Sequence, residues 1–315
     1  MEYFPGWTRK SITFTMDDGN IPMDTKLLTI LKPYGILGTF NLCAHRLHYM
    51  SPEEYREFYR GYEIANHCNE HPVAFPDGAK FVVSDDPFDP IESLEYTEEN
   101  PIVYKTEVKG LYMMHHIPKR IRPDGWFRVA EARDYIRFVD EGKVALEEIF
   151  GVGKIKDYVW PCRRQENTEV LEYLKSAGYR SARRTDDNTD KTFAYPADRL
   201  DWTYNAHHSN LLSVMKEYEE YPDDGKLKFF AFGVHASDFH RDNNWHELQE
   251  FAEKYGNRPE DYYYSTVGGL FEYEDAKNSL VIEEDKITNP SEISLYIKVD
   301  GKRIIVRPHT SYKYS

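Results

Sequence analysis

The chain has 315 residues and a formal net charge of −14, with 54 acidic against 40 basic side chains. That length suits one large α/β domain with a sizeable core. The acidic excess excludes broad affinity for nucleic acid, since few cations are left over to meet phosphates, and no run approaches the ~18 apolar residues that would span a membrane.

The first expected strand covers residues 11–16 and ends at two aspartates. Residues 24–34 have a helical stripe of Leu27, Leu28, Ile30 and Leu31, closed by Gly35. A strand follows over 37–42. Ser51, with Glu54 three residues on, opens a helix through a capping box. A short strand over 62–65 leads into His67. Residues 79–126 are acidic, carry Tyr and Pro, and show no clear period. They are expected to be an insertion or long loop, the kind of text from which a substrate lid is built. Strands are then expected over 155–160, 179–182, 228–234 and 262–265, with helices over 168–176, 211–220 and 245–255. Repeated strand-then-helix units predict parallel strands wrapped by helices, as a barrel or an open wound sheet. From residue 280 the text turns β-rich, and Asp300-Gly301 between alternating runs is a hairpin signal. The expected organisation is a body over 1–278, with an insertion around 79–126, and a β extension over 279–315.

The N-terminal text MEYFPGWTRKS lacks the apolar stretch of a secretory signal, so a cytoplasmic enzyme is the default expectation. A chain relieved of its leader would look the same. Cys43, Cys68 and Cys162 are too few and too scattered for a disulfide framework and read as free thiols. The 25 tyrosines suit a core with polar tips or a carbohydrate-facing cleft.

The chemistry concentrates at two strand ends. ITFTMDDGN puts Asp17 and Asp18 where an apolar strand meets a glycine. DDGN alone is turn text. EIANHCNEH holds His67 and His71 four apart, a spacing common by chance. Together the pairs say more. Ligands in α/β folds gather at the carboxyl ends of strands, so both pairs face one side. Two imidazoles and one carboxylate hold a divalent metal and leave positions open. The second carboxylate is then free to act as a general base.

TMDDG and HCNEH resemble the first two motifs of the NodB-type polysaccharide deacetylase family. YVWPC at residues 158–162, DRLDW at 198–202 and GVHASDF at 233–239 resemble the third, fourth and fifth. ALEEIFG, LKSAGYRSARRT and DNNWHELQEFAEKYG are similar to a bacterial branch of the family. The resemblance covers most of residues 10–276, apart from the insertion. It implies a distorted (β/α) barrel of about seven parallel strands, with the small β appendage behind it. It implies Asp17 as catalytic base, Asp18, His67 and His71 as metal ligands, and His235 as general acid. Asp201 would orient His235, Trp202 would wall the pocket, and the Cys162 N–H would help hold the oxyanion. The implied cofactor is one divalent ion, zinc first, with nickel or cobalt as alternatives. The implied partner is an acetylated carbohydrate.

The third motif departs from the family pattern. Val159 stands where an arginine often pairs with the base. Arg183, in SARRT, matches an arginine of the branch lacking that residue, and Arg163 is a second candidate. In the fifth motif, Val234 stands where glycine is common. His207, His208, His115 and His116 read as surface residues, Cys68 as a packing residue, and Trp126 and Trp160 as core. The resulting expectation is a metal-dependent hydrolase removing acetyl groups from an N- or O-acetylated sugar. The alternatives are a hydrolase of cyclic amides or ureides, or an inactive carbohydrate-binding homologue.

Overall fold

The first strand carries the site because its two faces differ. In β1 (Lys10–Asp18) the residues Ile12, Phe14 and Met16 enter the main apolar core. The alternate residues Ser11, Thr13, Thr15 and Asp17 are also buried, but polar. The sequence therefore alternates apolar and polar residues along the strand although both faces are buried. The computed structural model describes residues 2–72, 81–84, 103–105, 111–114, 127–129, 131–161, 167–185 and 192–314.

Six further parallel strands complete the main sheet: β2 (Gly38–Leu42), β3 (Glu63–Asn66), β4 (Asp157–Val159), β5 (Ser181–Arg183), β6 (Ala231–His235) and β7 (Tyr262–Tyr264). Their order is β5-β4-β3-β2-β1-β6, with β7 pairing the first residues of β1. The sheet curls. Between its edge strands, Arg184 N donates to Trp202 O at 2.9 Å and Gly233 N to Ala206 O at 2.9 Å. The stretch 202–206, text of the fourth motif and just beyond, therefore straps β5 to β6. This is the distorted parallel barrel expected from the sequence.

Helices cover the outside. They are α1 (Ile21–Leu31), α2 (Pro52–Phe58), α3 (Ala132–Phe150), α4 (Thr168–Ser176), α5 (Leu211–Glu220), α6 (Ala236–Arg241), α7 (Trp245–Tyr255) and α8 (Val267–Asn278). Helices α4, α5 and α7 match their expected limits. The capping box of Ser51 and Glu54 opens α2 as expected. Helix α5 buries Leu211, Val214, Met215 and Tyr218, a stripe at helical spacing. Each such side chain contributes about 1.5–3 kcal/mol when fully buried.

No sequence expectation covered α3 or α8. Helix α8 buries residues around most of its circumference, including Val267, Leu270, Phe271, Tyr273 and Ala276, so no one-sided stripe marks it. The 79–126 region also differs from the expected irregular loop. It contains Phe81–Ser84, Val103–Lys105 and Leu111–Met114, which join Phe127–Val129 in a four-stranded antiparallel sheet. Strands of three or four residues are too short for alternation to register in sequence.

The C-terminal β text forms two small antiparallel sheets, one of which recruits Glu2–Tyr3 from the N-terminus. The hairpin Leu295–Val299 with Lys302–Val306 turns at Asp300 and Gly301, with φ of +47° and +81°. Both values are positive, as a two-residue turn of this kind requires. Tyr273 on α8 ties the appendage to the barrel: its hydroxyl donates to Tyr3 O and accepts from Tyr296 N.

Candidate metal centre and active site

Strand register sets the first row of the site. Across the sheet Asp17 stands opposite Asn41 on β2 and opposite His235 on β6. In-register residues of parallel neighbours share a face, so the three polar side chains are grouped by the backbone. Asp18 should then point away. Its backbone instead adopts φ of +81°, the left-handed region, and Gly19 follows at +75°. That conformation is costly for a non-glycine residue. It turns the chain so that both carboxylates serve one site.

His67 leaves the end of β3. Its Nδ1–H donates to Val159 O at 2.9 Å, which fixes the tautomer and leaves Nε2 as a lone-pair donor. That Nε2 is buried without a hydrogen-bond partner among the described residues. It lies 3.5 Å from Asp18 Oδ1, and His71 Nε2 lies 3.6 Å from the same oxygen. One ligand atom from each of Asp18, His67 and His71 falls within 4.8 Å of the others. An orphaned imidazole nitrogen facing a carboxylate and a second imidazole is a donor set consistent with a divalent metal. Burial and neighbouring His67 push His71 down to about 4, so it is neutral and able to ligate at pH 7. For Asp18 burial acts upward, but His67, His235 and Arg46 outweigh it and hold the carboxyl well below the usual range.

Helix α3, unseen in the sequence, braces the histidine-bearing segment. Asn69 N donates to Phe138 O at 2.9 Å and Asn66 Nδ2 to Val139 O at 2.8 Å. A Cβ at Gly142 would stand 2.5 Å from Asn66 Oδ1 and from the Cys68 backbone, so only glycine permits this approach.

Asp17 is 3% exposed and Arg183 is fully buried. Arg183 Nη2 donates to Asp17 Oδ1, and its Nε to Thr15 Oγ1 at 3.1 Å. Asn41 Nδ2 adds a bond to Asp17 Oδ1 at 2.7 Å. Burial alone would raise the Asp17 carboxyl, but Arg183, His67 and His235 hold it below the usual range. Both hydrogen bonds fall on Oδ1. His235 completes the group, with Nε2 3.7 Å from Asp18 Oδ2 and Nδ1 3.1 Å from Asp238 Oδ2. Burial lowers its pKa, but Asp238, Asp17 and Asp18 together raise it to about 9, so it is a cation at neutral pH.

The profile of the family described as Polysaccharide deacetylase matches residues 6–182. The chain belongs to the polysaccharide deacetylase family. Among solved structures, it is similar to the Xyl-CE4 domain of a multidomain xylanase from the hindgut metagenome of Trinervitermes trinervoides. The identity there is 15%, over 85% of this chain and 93% of that one, with a TM-score of 0.47. A chitin deacetylase from the fungus Colletotrichum lindemuthianum is 15% identical, over 85% and 88%, with a TM-score of 0.43. A peptidoglycan deacetylase from Bacillus subtilis is 14% identical, over 86% and 94%, with a TM-score of 0.43. No curated protein matches the chain.

Against the family pattern several placements are informative. Of the two candidate arginines, Arg183 meets Asp17, while Arg163 lies outside the described residues, as does Cys162. The carboxylate meeting His235 Nδ1 is Asp238, three residues on in α6, where the resemblance implied Asp201. Asp201 Oδ1 stands 3.2 Å from Arg184 Nε. Trp202 was expected to wall the pocket. Its ring is 4% exposed and packs edge-on to Phe229 and Phe271 in the core beside α8. The strap between β5 and β6 brings its backbone to the site and turns its side chain inward. His208, read as a surface residue, is buried and pairs with Asp242 at 2.6 Å. Cys68 and Trp160 are buried, as expected, and His115, His116 and Trp126 fall outside the described residues.

Sequence reasoning missed Asn41, Asp238 and Arg46. For Asn41 a signal existed: a polar residue inside the apolar strand text GTFNL. Arg46 carries an ion pair to Asp18 Oδ2 at 2.8 Å, from a single 3-10 turn, Ala44–Arg46, too short to leave a periodic pattern.

Proposed function

We propose that this protein is a hydrolase that uses a divalent metal ion to remove an acetyl group from an N- or O-acetylated carbohydrate. One observation carries the reading: Asp18, His67 and His71 converge within 4.8 Å beside a second, buried carboxylate. These three residues would hold the ion, zinc by first preference, then nickel or cobalt. Bound there, the ion would supply Lewis-acid activation of a water and of the acetyl carbonyl.

The remaining steps belong to the chain. Asp17 stays ionised because its pKa is lowered, and Arg183 and Asn41 both occupy Oδ1. Oδ2 is left to take the proton of the attacking water. The water oxygen bonds to the carbonyl carbon, with the Cys162 N–H as a proposed donor to the oxyanion. His235, protonated at neutral pH and held through Nδ1 by Asp238, gives its proton to the leaving nitrogen or oxygen. The C–N or C–O bond breaks and acetate departs.

The test is acetate release from a panel of N- and O-acetylated glycans. Release should stop with chelator and return with added zinc, cobalt or nickel. Metal-loaded protein that frees no acetate across the panel, or release untouched by chelator, would overturn the reading.

A further inference from the structure

Residues 44–50, AHRLHYM, belong to none of the motifs. This loop leaves β2 and is tied to the end of β3: Ala44 N donates to Cys68 O at 3.1 Å and His45 N to Asn69 O at 3.0 Å. It therefore borders the segment that carries His67 and His71. His45, His48 and Tyr49 are exposed, and the Arg46 side chain is 33% exposed. Arg46 Nη1 meets Asp18 Oδ2 at 2.8 Å, the oxygen opposite the one that faces the two histidines.

The charges at the site lead further. Asp17 and Asp18 are matched by Arg183 and Arg46. Among the described residues of the site, a divalent ion on Asp18, His67 and His71 then leaves two positive charges in excess, with His235 offset by Asp238. The chain as a whole is at −14, so this local field is set against the global one. A neutral sugar leaves the local charge uncompensated, and acetate is released only after the reaction. Of the two arginines, Arg183 is fully buried on Asp17, whereas Arg46 reaches solvent. A guanidinium has five N–H donors in a planar fork, and one nitrogen facing Asp18 leaves the rest for an acceptor outside.

We propose that Arg46 is a specificity residue that recognises an acidic group, a carboxylate or a phosphate, on the saccharide being deacetylated. The inference rests on the carbohydrate-hydrolase reading above. Tyr49, 75% exposed in the same loop, offers an apolar face for a neighbouring sugar ring. The competing role is purely internal: Arg46 orienting Asp18 for the metal.

The experiment uses the full chain loaded with zinc. Calorimetry measures binding of non-acetylated xylo-oligosaccharides of equal length, one neutral, one bearing a uronate and one bearing a phosphate. Binding of an acidic probe should be about tenfold tighter or more than of the neutral one, the size of a charge-assisted hydrogen bond. The tighter of the two acidic probes identifies the group. Arg46→Gln should bring the ratio close to one, and Arg46→Lys should keep part of it. Arg60→Gln, an exposed arginine paired with Glu57, controls for net charge and should keep all of it. A ratio near one in the unaltered protein, or a ratio that survives in Arg46→Gln, overturns the proposal. Loss of zinc from Arg46→Gln with the ratio intact after reloading would assign Arg46 to Asp18 alone and also overturn it. Acetate release from acetylated forms of the same probes runs in parallel. No release from any of them, with the Arg46-dependent ratio present, would sink the hydrolase reading and leave the acidic-group site standing.

Discussion

Arg183→Met removes the cation from a pair that has almost no access to water. Arg183 is fully buried and Asp17 is 3% exposed. Asp17 would keep one donor at 2.7 Å, from Asn41, and would lose the guanidinium. Breaking a buried pair by deleting one partner costs about 3–5 kcal/mol, because the other charge stays desolvated. That is a large part of the roughly 5–15 kcal/mol that holds a domain folded. Asp17→Asn alone should also destabilise, since it strands Arg183, so it is not a silent catalytic knockout. The double variant Arg183→Met/Asp17→Asn should recover about 2–3 kcal/mol relative to the sum of the single changes. The pH dependence has a definite sign. In the unaltered protein the Asp17 pKa is depressed, so its contribution is present above the unfolded value and lost as pH falls through the folded one. Without Arg183, burial is the largest influence left and drives the carboxyl upward. The deficit of Arg183→Met should therefore grow from pH 4, about the unfolded pKa of an aspartate, toward pH 7.5, and shrink further below pH 4 as the unaltered protein loses its own contribution. Urea unfolding of the four metal-free proteins at three pH values measures this. A cost below about 1 kcal/mol at pH 7.5, or a cost that does not change with pH, would refute the reasoning.

His71→Ala should reduce bound metal from about one ion per chain to nearly none while the far-ultraviolet spectrum stays unchanged, and full occupancy by metal analysis would remove His71 from the ligand set. Asp238→Asn should lower the His235 pKa from about 9 toward the ordinary value. Because the proposed acid works only when protonated, the alkaline limb of the kcat/KM profile should move down by about one pH unit or more; an unmoved limb argues against the pairing. Burial holds the Asp24 carboxyl up at about 8, against a hydrogen bond from Tyr59 that lowers it. Its folded pKa exceeds the unfolded one, so stability present below pH 4 is lost progressively up to about pH 8. Asp24→Asn mimics the neutral form and should stabilise by a few kcal/mol at pH 7.5, order of magnitude, and by little at pH 4; equal melting of the two proteins at both pH values contradicts this.

Local text determined much of this protein. Helices α4, α5 and α7 have their apolar stripes within the segment itself, and α4 also its Asn167 cap, so their limits were legible. So was the Asp300-Gly301 turn, which depends on two residues alone. The pairing of Asp17 with Asp18 before a glycine, and of His67 with His71, announced a site at the strand ends. The partners that give those residues their properties were not legible. Asp17 and Arg183 are 166 residues apart and meet only because the sheet curls to bring β5 toward β1. Asp238 reaches His235 Nδ1 because α6 begins at that histidine, whereas Asp201 and Trp202 follow the strap that closes the barrel. Helix α8 showed no stripe because it is enclosed on several sides, and burial on several sides erases periodicity. Periodicity and capping are set by neighbours a few residues away. Which carboxylate meets which cation is set by register, curvature and the left-handed turn at Asp18, and these exist only once the barrel has formed.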